Sequence, residues 1–441
     1  MEIIIKILQF ILSISILVIL HEFGHFIFAK IFKTRVEKFY LFFNPWFSIF
    51  KFRRGDTEYG LGWLPIGGYV KISGMIDESM DKEQLKQPPQ PYEFRSKKAW
   101  QRLIIMIGGV VFNFIAALVI YSMVLYTWGE EYLPTNNVKY GIAADTLAQK
   151  IGLQNGDKII SVDNREIENF LKIIPEIILS SAKTIQVERN DSIVNINLPD
   201  SLIHILIKSR KLGFIAPRIP FVIDGFTKES VAEKAGLMKN DSIIMLNDEK
   251  IAFFDEFKAQ LSKYKNQNVK VTAIRNKKDT IHINVNVPES GLIGVYPVGD
   301  ISRFFELKKI KYSFLKSIPA GIVKGYETSI DYLKQFKLIF NFKTKAYESL
   351  GSFITIGSIF PGSWDWHSFW NLTAFLSIIL AIMNILPIPA LDGGHVLFVL
   401  FEIITGRKPG DKFLEYAQII GMILLLALFI FATYNDILRL F

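Results

Sequence analysis

Four stretches are apolar over the ~20 residues that a helix needs to cross a bilayer. They fall at residues 3–31, 101–127, 368–389 and 415–434. The first begins at once, continues past residue 28 and has no small-residue cleavage pattern, so it is expected to remain as the first span. Between the second and third spans the pattern changes. Residues 128–300 alternate strand-like stretches with Asn-Asp and Gly-Asp turns. Residues 301–367 mix Lys, Phe, Tyr and Ile, which reads as an amphipathic linker on a membrane surface. Before the second span, FYLFFNPWFSIFKF and GWLPIGGYVKI are aromatic and β-branched around RRGD. They read as a membrane-associated β-hairpin over 40–72.

The polar middle contains an internal repeat. AQKIGLQNGDKIISVDN at 148–164 matches AEKAGLMKNDSIIMLND at 232–248. Gly152 aligns with Gly236, Leu153 with Leu237 and Asp157 with Asp241. This period is too long for a solenoid unit and fits two small α+β domains in tandem, 128–218 and 219–300. The expected layout is therefore an α-helical polytopic membrane protein. An N-terminal membrane half (1–127) and a C-terminal one (368–441) flank the domain pair and its linker (301–367).

Charge orients this layout. Half of the 441 residues are hydrophobic and the formal net charge is +9. Residues 33–102 carry 13 Lys or Arg against 8 Asp or Glu, and the last short loop carries Arg407, Lys408 and Lys412. The positive-inside rule places the 33–100 and 395–414 loops in the cytoplasm and the domain pair on the far side. The basic residues flank apolar segments, so no nucleic-acid partner is expected. With no cysteine, disulfides and thiolate metal sites are excluded.

One apolar run holds unexpected chemistry. LVILHEFGHFIFA at 17–29 carries His21, Glu22 and His25 inside the first span. Charged groups at that depth are costly and usually functional. Two histidines four apart share one helix face and can reach one metal ion. Glu22 beside them can take a proton from a water at that metal, the HExxH arrangement of zinc hydrolases. A third protein ligand is needed. NILPIPALDGGH at 384–395 offers Asp392, with His395 as a competing donor. Pro387 and Pro389 break the helix, and Gly393 and Gly394 let the backbone turn.

HEFGH near the N-terminus, the tandem repeat, and Asn384 followed by LDGG together resemble the site-2 protease family of intramembrane zinc metalloproteases. The closest likeness is its bacterial subgroup with tandem PDZ domains, the regulator-of-sigma-E protease type. The resemblance spans essentially the whole chain. It implies one Zn2+ per chain on His21, His25 and Asp392, with Glu22 as catalytic base. It also implies that Asn384 positions the substrate strand. GGVVFN at 108–113 resembles a polar element of the family's second span, with Asn113 as its polar residue; Gly108 and Gly109 would equally serve close helix packing. The family's loop dips into the membrane and offers substrate a strand edge. Here LPIGGYVK suits that role: Gly67 and Gly68 permit close approach, while Tyr69 and Val70 favour extension. The repeats look like circularly permuted PDZ modules without a GLGF-type loop, so a steric gate is the alternative to peptide-end binding. One departure is Ser352-Phe353, where the family often has Gly-Pro.

The implied function is regulated intramembrane proteolysis. A monomeric zinc endopeptidase of the bacterial inner membrane would cut transmembrane substrates, such as anti-sigma factors after trimming or remnant signal peptides. A silent scaffold using its PDZ pair, or a metal transporter, are the rival readings. The complete His21, Glu22, His25 and Asp392 set disfavours the scaffold, and convergence at one depth disfavours the transporter.

Overall fold

The computed structural model describes residues 1–75, 88–209, 213–341 and 344–438. The rest of the 33–100 loop lies outside the described residues. The chain divides into two compact units. One comprises Met1–Glu130, Lys311–Phe340 and Tyr347–Phe441; the other comprises Glu131–Ile310 and Asn341–Ala346.

In the first unit, α1 (Glu2–Ile31) leads to a small sheet of β1 (Val36–Phe43), β2 (Phe50–Arg54), β3 (Thr57–Leu61) and β4 (Leu64–Ile72). Then come α2 (Ala99–Thr127), α3 (Phe314–Ile339), α4 (Phe353–Ser358), α5 (Trp366–Ile385), α6 (Asp392–Thr405) and α7 (Asp411–Leu438). Four of these helices are long and apolar enough to cross a membrane: Glu2–Ile31, Ala99–Thr127, Trp366–Ile385 and Lys412–Leu438. The third stops at Ile385, short of the expected 389. Pro387 disfavours the helical region for the residue before it, and Leu386 is extended (φ −60°, ψ 142°).

Glycine lets the first two spans touch. A Cβ on Gly24 would lie 2.3 Å from the Gly108 carbonyl oxygen, so the α1 and α2 backbones meet directly. Hydroxyls tie in the third span. The Thr373 and Ser13 hydroxyls are 2.9 Å apart, and Ser377 donates to the Asn113 carbonyl at 2.7 Å. Such pairing satisfies polar groups where lipid offers no partner. An ion pair of Arg102 with Glu402 at 2.5 Å joins α2 to α6.

The expected two-stranded hairpin is corrected to a four-stranded sheet, in the order β2-β3-β1-β4. The turn at Gly55-Asp56 closes β2 onto β3, and β3 then pairs in parallel with β1. Thr57–Leu61 supplies the strand that the pattern left unassigned. Its Thr57 hydroxyl donates to the Val36 carbonyl at 2.8 Å. β4 pairs antiparallel with β1, and among the described residues no further strand pairs with its outer edge.

The 301–367 stretch is not a single surface segment. Its 26-residue helix α3 packs lengthwise on α2, where Gly321 abuts Ser122 and Gly325 abuts Leu118. Ile322, Val323 and Tyr326 remain exposed on its other side, suited to lipid. Ser352 caps α4. The Asp436 carboxylate of α7 accepts from the Ser352 N–H (2.8 Å) and hydroxyl (2.7 Å) and from the Thr355 N–H (3.0 Å). The polar cap thus orders the backbone where Gly-Pro is absent.

The second unit contains the repeats, each with its own apolar core. The first holds β5 (Lys158–Val162), β6 (Thr184–Arg189) and β7 (Ser192–Asn197). The second holds β8 (Ser242–Leu246), β9 (Glu249–Lys250), β10 (Asn268–Arg275) and β11 (Asp279–Asn286), ordered β9-β8-β10-β11. The same clasp recurs in both. Arg189 donates to both oxygens of Asp157 at 2.7 Å and to the Gly152 carbonyl. Arg275 donates to Asp241 at 2.9 and 2.8 Å and to the Gly236 carbonyl. Each Asp also accepts a backbone N–H from its own turn, from Gln154 or Met238. Arg218 joins the repeats, pairing with Asp255 and Glu256 while its guanidinium sits 4.0 Å from the Phe253 ring centroid.

Candidate metal centre

Three donor atoms from distant segments converge. His21 Nε2 and His25 Nε2 are 3.3 Å apart, and Asp392 Oδ2 lies 3.1 and 3.2 Å from them. Two corners of a tetrahedron with ~2.0 Å bonds are separated by about 3.3 Å, so this triangle matches the spacing of a zinc site. Among the described residues, these three form the one group of His and carboxylate donors close enough to share an ion. His395 lines the same cavity but stands outside the triangle.

Each donor is held from behind. His25 Nδ1 lies 2.8 Å from the Ile105 carbonyl, which can only accept. That bond fixes the proton on Nδ1 and leaves the Nε2 lone pair for a metal. His21 Nδ1 lies 3.3 Å from the Asn113 amide, whose Oδ1 is buried with no hydrogen-bond partner among the described residues. Amide orientation is an assignment. Turning this amide over lets Oδ1 accept the His21 Nδ1 proton, which satisfies the oxygen and frees Nε2. Gly109 presses on both rings: a Cβ there would lie 2.5 Å from His25 Nε2 and 2.6 Å from His21 Cε1.

Asp392 arrives on the first turn of α6. Added Cβ atoms on Gly393 and Gly394 would strike the Leu386 and Ile388 carbonyl oxygens at 2.2 and 2.6 Å. The two glycines thus let α6 fold back onto the end of α5.

The donors open onto a cavity of about 440 Å³ shared with Glu22 and with Gly68, Tyr69 and Val70 of β4. Gly68 sits flush on α1, because a Cβ there would lie 2.7 Å from Val18 Cγ1 and 3.5 Å from Glu22 Cγ. Val70 lines the cavity together with Glu22. Tyr69 stacks on Tyr40 and Phe43, and its hydroxyl donates to Asn44 at 2.9 Å, so it braces the sheet. Gly67 packs toward the Phe43 ring. Neither Gly67 nor the half-buried Asn384 in the last turn of α5 lines the cavity.

Sequence reasoning missed the Ile105 carbonyl and Gln418. The last could have been noticed as a lone amide in an apolar span.

A histidine pair and a carboxylate at tetrahedral spacing, beside a glutamate in a membrane helix bundle, are the parts of a metallohydrolase. Residues 9–428 match the model of peptidase family M50, and the chain belongs to that family. A Neisseria meningitidis protein named as a zinc metalloprotease is 29% identical, with 98% of this chain and 99% of that one covered. The Haemophilus influenzae regulator of sigma E protease is also 29% identical, with 98% of each chain covered. A Rickettsia conorii protein, again named as a zinc metalloprotease, is 26% identical over 99% of both. The chain is a membrane zinc metalloprotease.

Proposed function

We propose that His21, His25 and Asp392 hold one zinc ion and that Glu22 is the general base of an endopeptidase acting on membrane-spanning substrates. The observation that carries this reading is the donor triangle opening onto one cavity with Glu22 and strand β4. Bound zinc supplies Lewis acidity toward water and the scissile carbonyl. Glu22 takes the proton of the attacking water and passes it to the departing amine. Asn113 and the Ile105 carbonyl keep the two imidazoles in the ligating tautomer.

A transmembrane helix hides its peptide bonds, so the substrate must unwind to be cut. The outer edge of β4 lets an unwound segment add as a strand, a backbone contact that tolerates varied side chains. Asn384 is a further candidate for steering that segment. The exposed aromatic tip of the sheet, with Trp46, Phe47 and Phe50, fits a loop that rests in the lipid interface.

The relative named as regulator of sigma E protease supports a substrate of the anti-sigma-factor type, trimmed beforehand on its outer side. Remnant signal peptides are a second candidate class. The two repeats are read as PDZ modules on the periplasmic side of a bacterial inner membrane, and the chain as a monomer. Trapping tests the substrate. Glu22→Gln, expressed in the native host, should retain an uncut membrane protein that the unmodified chain releases as fragments. Cleavage by Glu22→Gln at the unmodified rate would sink the role of Glu22.

A further inference from the structure

The turn that delivers Asp392 is strained and is held from an unexpected direction. Ala390 has φ +82°, in the left-handed region that side chains rarely adopt. Such a residue persists only where its surroundings impose it. Two residues of α7 impose it here. Gly421 sits against Pro389 so closely that a Cβ would lie 1.7 Å from the Pro389 carbonyl oxygen. Gln418, 5% exposed, accepts the Ala390 N–H at 3.2 Å. The two lie three residues apart and share one face of α7.

The chemistry fixes the amide's orientation. A backbone N–H can only donate, so the Gln418 atom that meets it is Oε1. Gln418 also lines the metal cavity, alongside Ala390 and Asp392. Only Leu391 separates Ala390 from the proposed ligand, so a shift of this N–H would swing the carboxylate out of the donor triangle.

We propose that Gln418 is a positioning residue that locks the Ala390 turn and so sets the metal affinity of the Asp392 ligand. This rests on the ligand reading above. Sequence adjacency cannot supply the restraint, since it comes from the fourth span, and the fourth span contributes no ligand to the triangle.

The test uses the full chain in detergent and follows zinc retention against a chelator. Gln418→Met keeps the length but loses the acceptor. Gln418→Glu keeps an acceptor oxygen at the same reach. Asp392→Ala reports on the ligand reading itself. The expected result is a roughly 10–100-fold loss of zinc affinity for Gln418→Met, as for other partners of metal ligands, with Gln418→Glu close to the unmodified chain. Melting temperature is measured in parallel. Zinc held equally well by Gln418→Met and the unmodified chain, with Asp392→Ala empty, overturns the proposal and leaves the ligand reading standing. Equal losses in Gln418→Glu and Gln418→Met also overturn it, because the acceptor would then be irrelevant. Should Gln418→Met fail to fold, Gln418→Glu decides alone: retained zinc supports the lock and lost zinc overturns it. Stoichiometric zinc in Asp392→Ala would bring down the ligand reading, and the proposal with it.

Discussion

Gly109 of the second span lies directly under His25 of the first: a side-chain carbon there would sit 2.5 Å from the Nε2 that faces the candidate metal site. The helix crossing and the metal centre therefore share one steric requirement. Gly109→Ala should displace both imidazoles and weaken zinc binding by about tenfold or more, the scale on which disturbed ligand support acts. Val111→Ala, at an exposed position of the same helix, should leave zinc affinity unchanged. Zinc titration of the purified variants checks both. Normal affinity in Gly109→Ala would show that α1 and α2 can separate without harm to the site.

The Val70 amide offers a test of strand addition at β4. Proline removes the donor, and leaving its partner unsatisfied costs about 1–3 kcal/mol. Val70→Pro should therefore keep its zinc and lose about tenfold in kcat, while Val70→Thr, which keeps the N–H, should be mild. Equal turnover by the two variants at equal protein levels would remove any role for this amide.

The convergence of the candidate donors was legible in part because the signal on the first helix is local. His21, Glu22 and His25 lie within a single helical turn and a half, and their polarity stands out in an apolar run. The LDGG turn was legible from its prolines and glycines. The four-stranded sheet was not, because the parallel pairing of β3 with β1 depends on a register between separated segments. In the repeats, Asp157 and Asp241 align at one offset, but Arg189 and Arg275 do not share it. The clasp is visible only in space. Gln418 was hidden because a single amide barely changes the hydropathy of a span.

The clasp carries its own expectation. Asp157 is 1% exposed and is bound to Arg189 on both oxygens. Removing the Asp157 carboxylate forfeits its bonds to Arg189 and to the Gln154 N–H, and a hydrogen bond to a charged group contributes about 1.5–3 kcal/mol. Asp157→Ala should make the first repeat protease-sensitive within the full chain, and Asp241→Ala should do the same for the second. Sensitivity spreading equally through both repeats would show that they do not fold as separate cores.

Topology is testable because the chain has no cysteine. Arg165→Cys, at a position whose side chain is 76% exposed, should react with a membrane-impermeant thiol reagent once the outer barrier is permeabilised. Lys97→Cys should stay protected until the inner membrane is opened. The reverse pattern would invert the proposed orientation.

Metal content of substituted chains tests the donor set most directly. One zinc per unmodified chain is expected, with loss in His21→Ala, His25→Ala and Asp392→Ala. Full zinc is expected in Glu22→Gln, together with absent proteolysis. Asp392→Ala that still holds a full equivalent of zinc, alongside His395→Ala that holds none, would contradict the assignment and move the third ligand to His395.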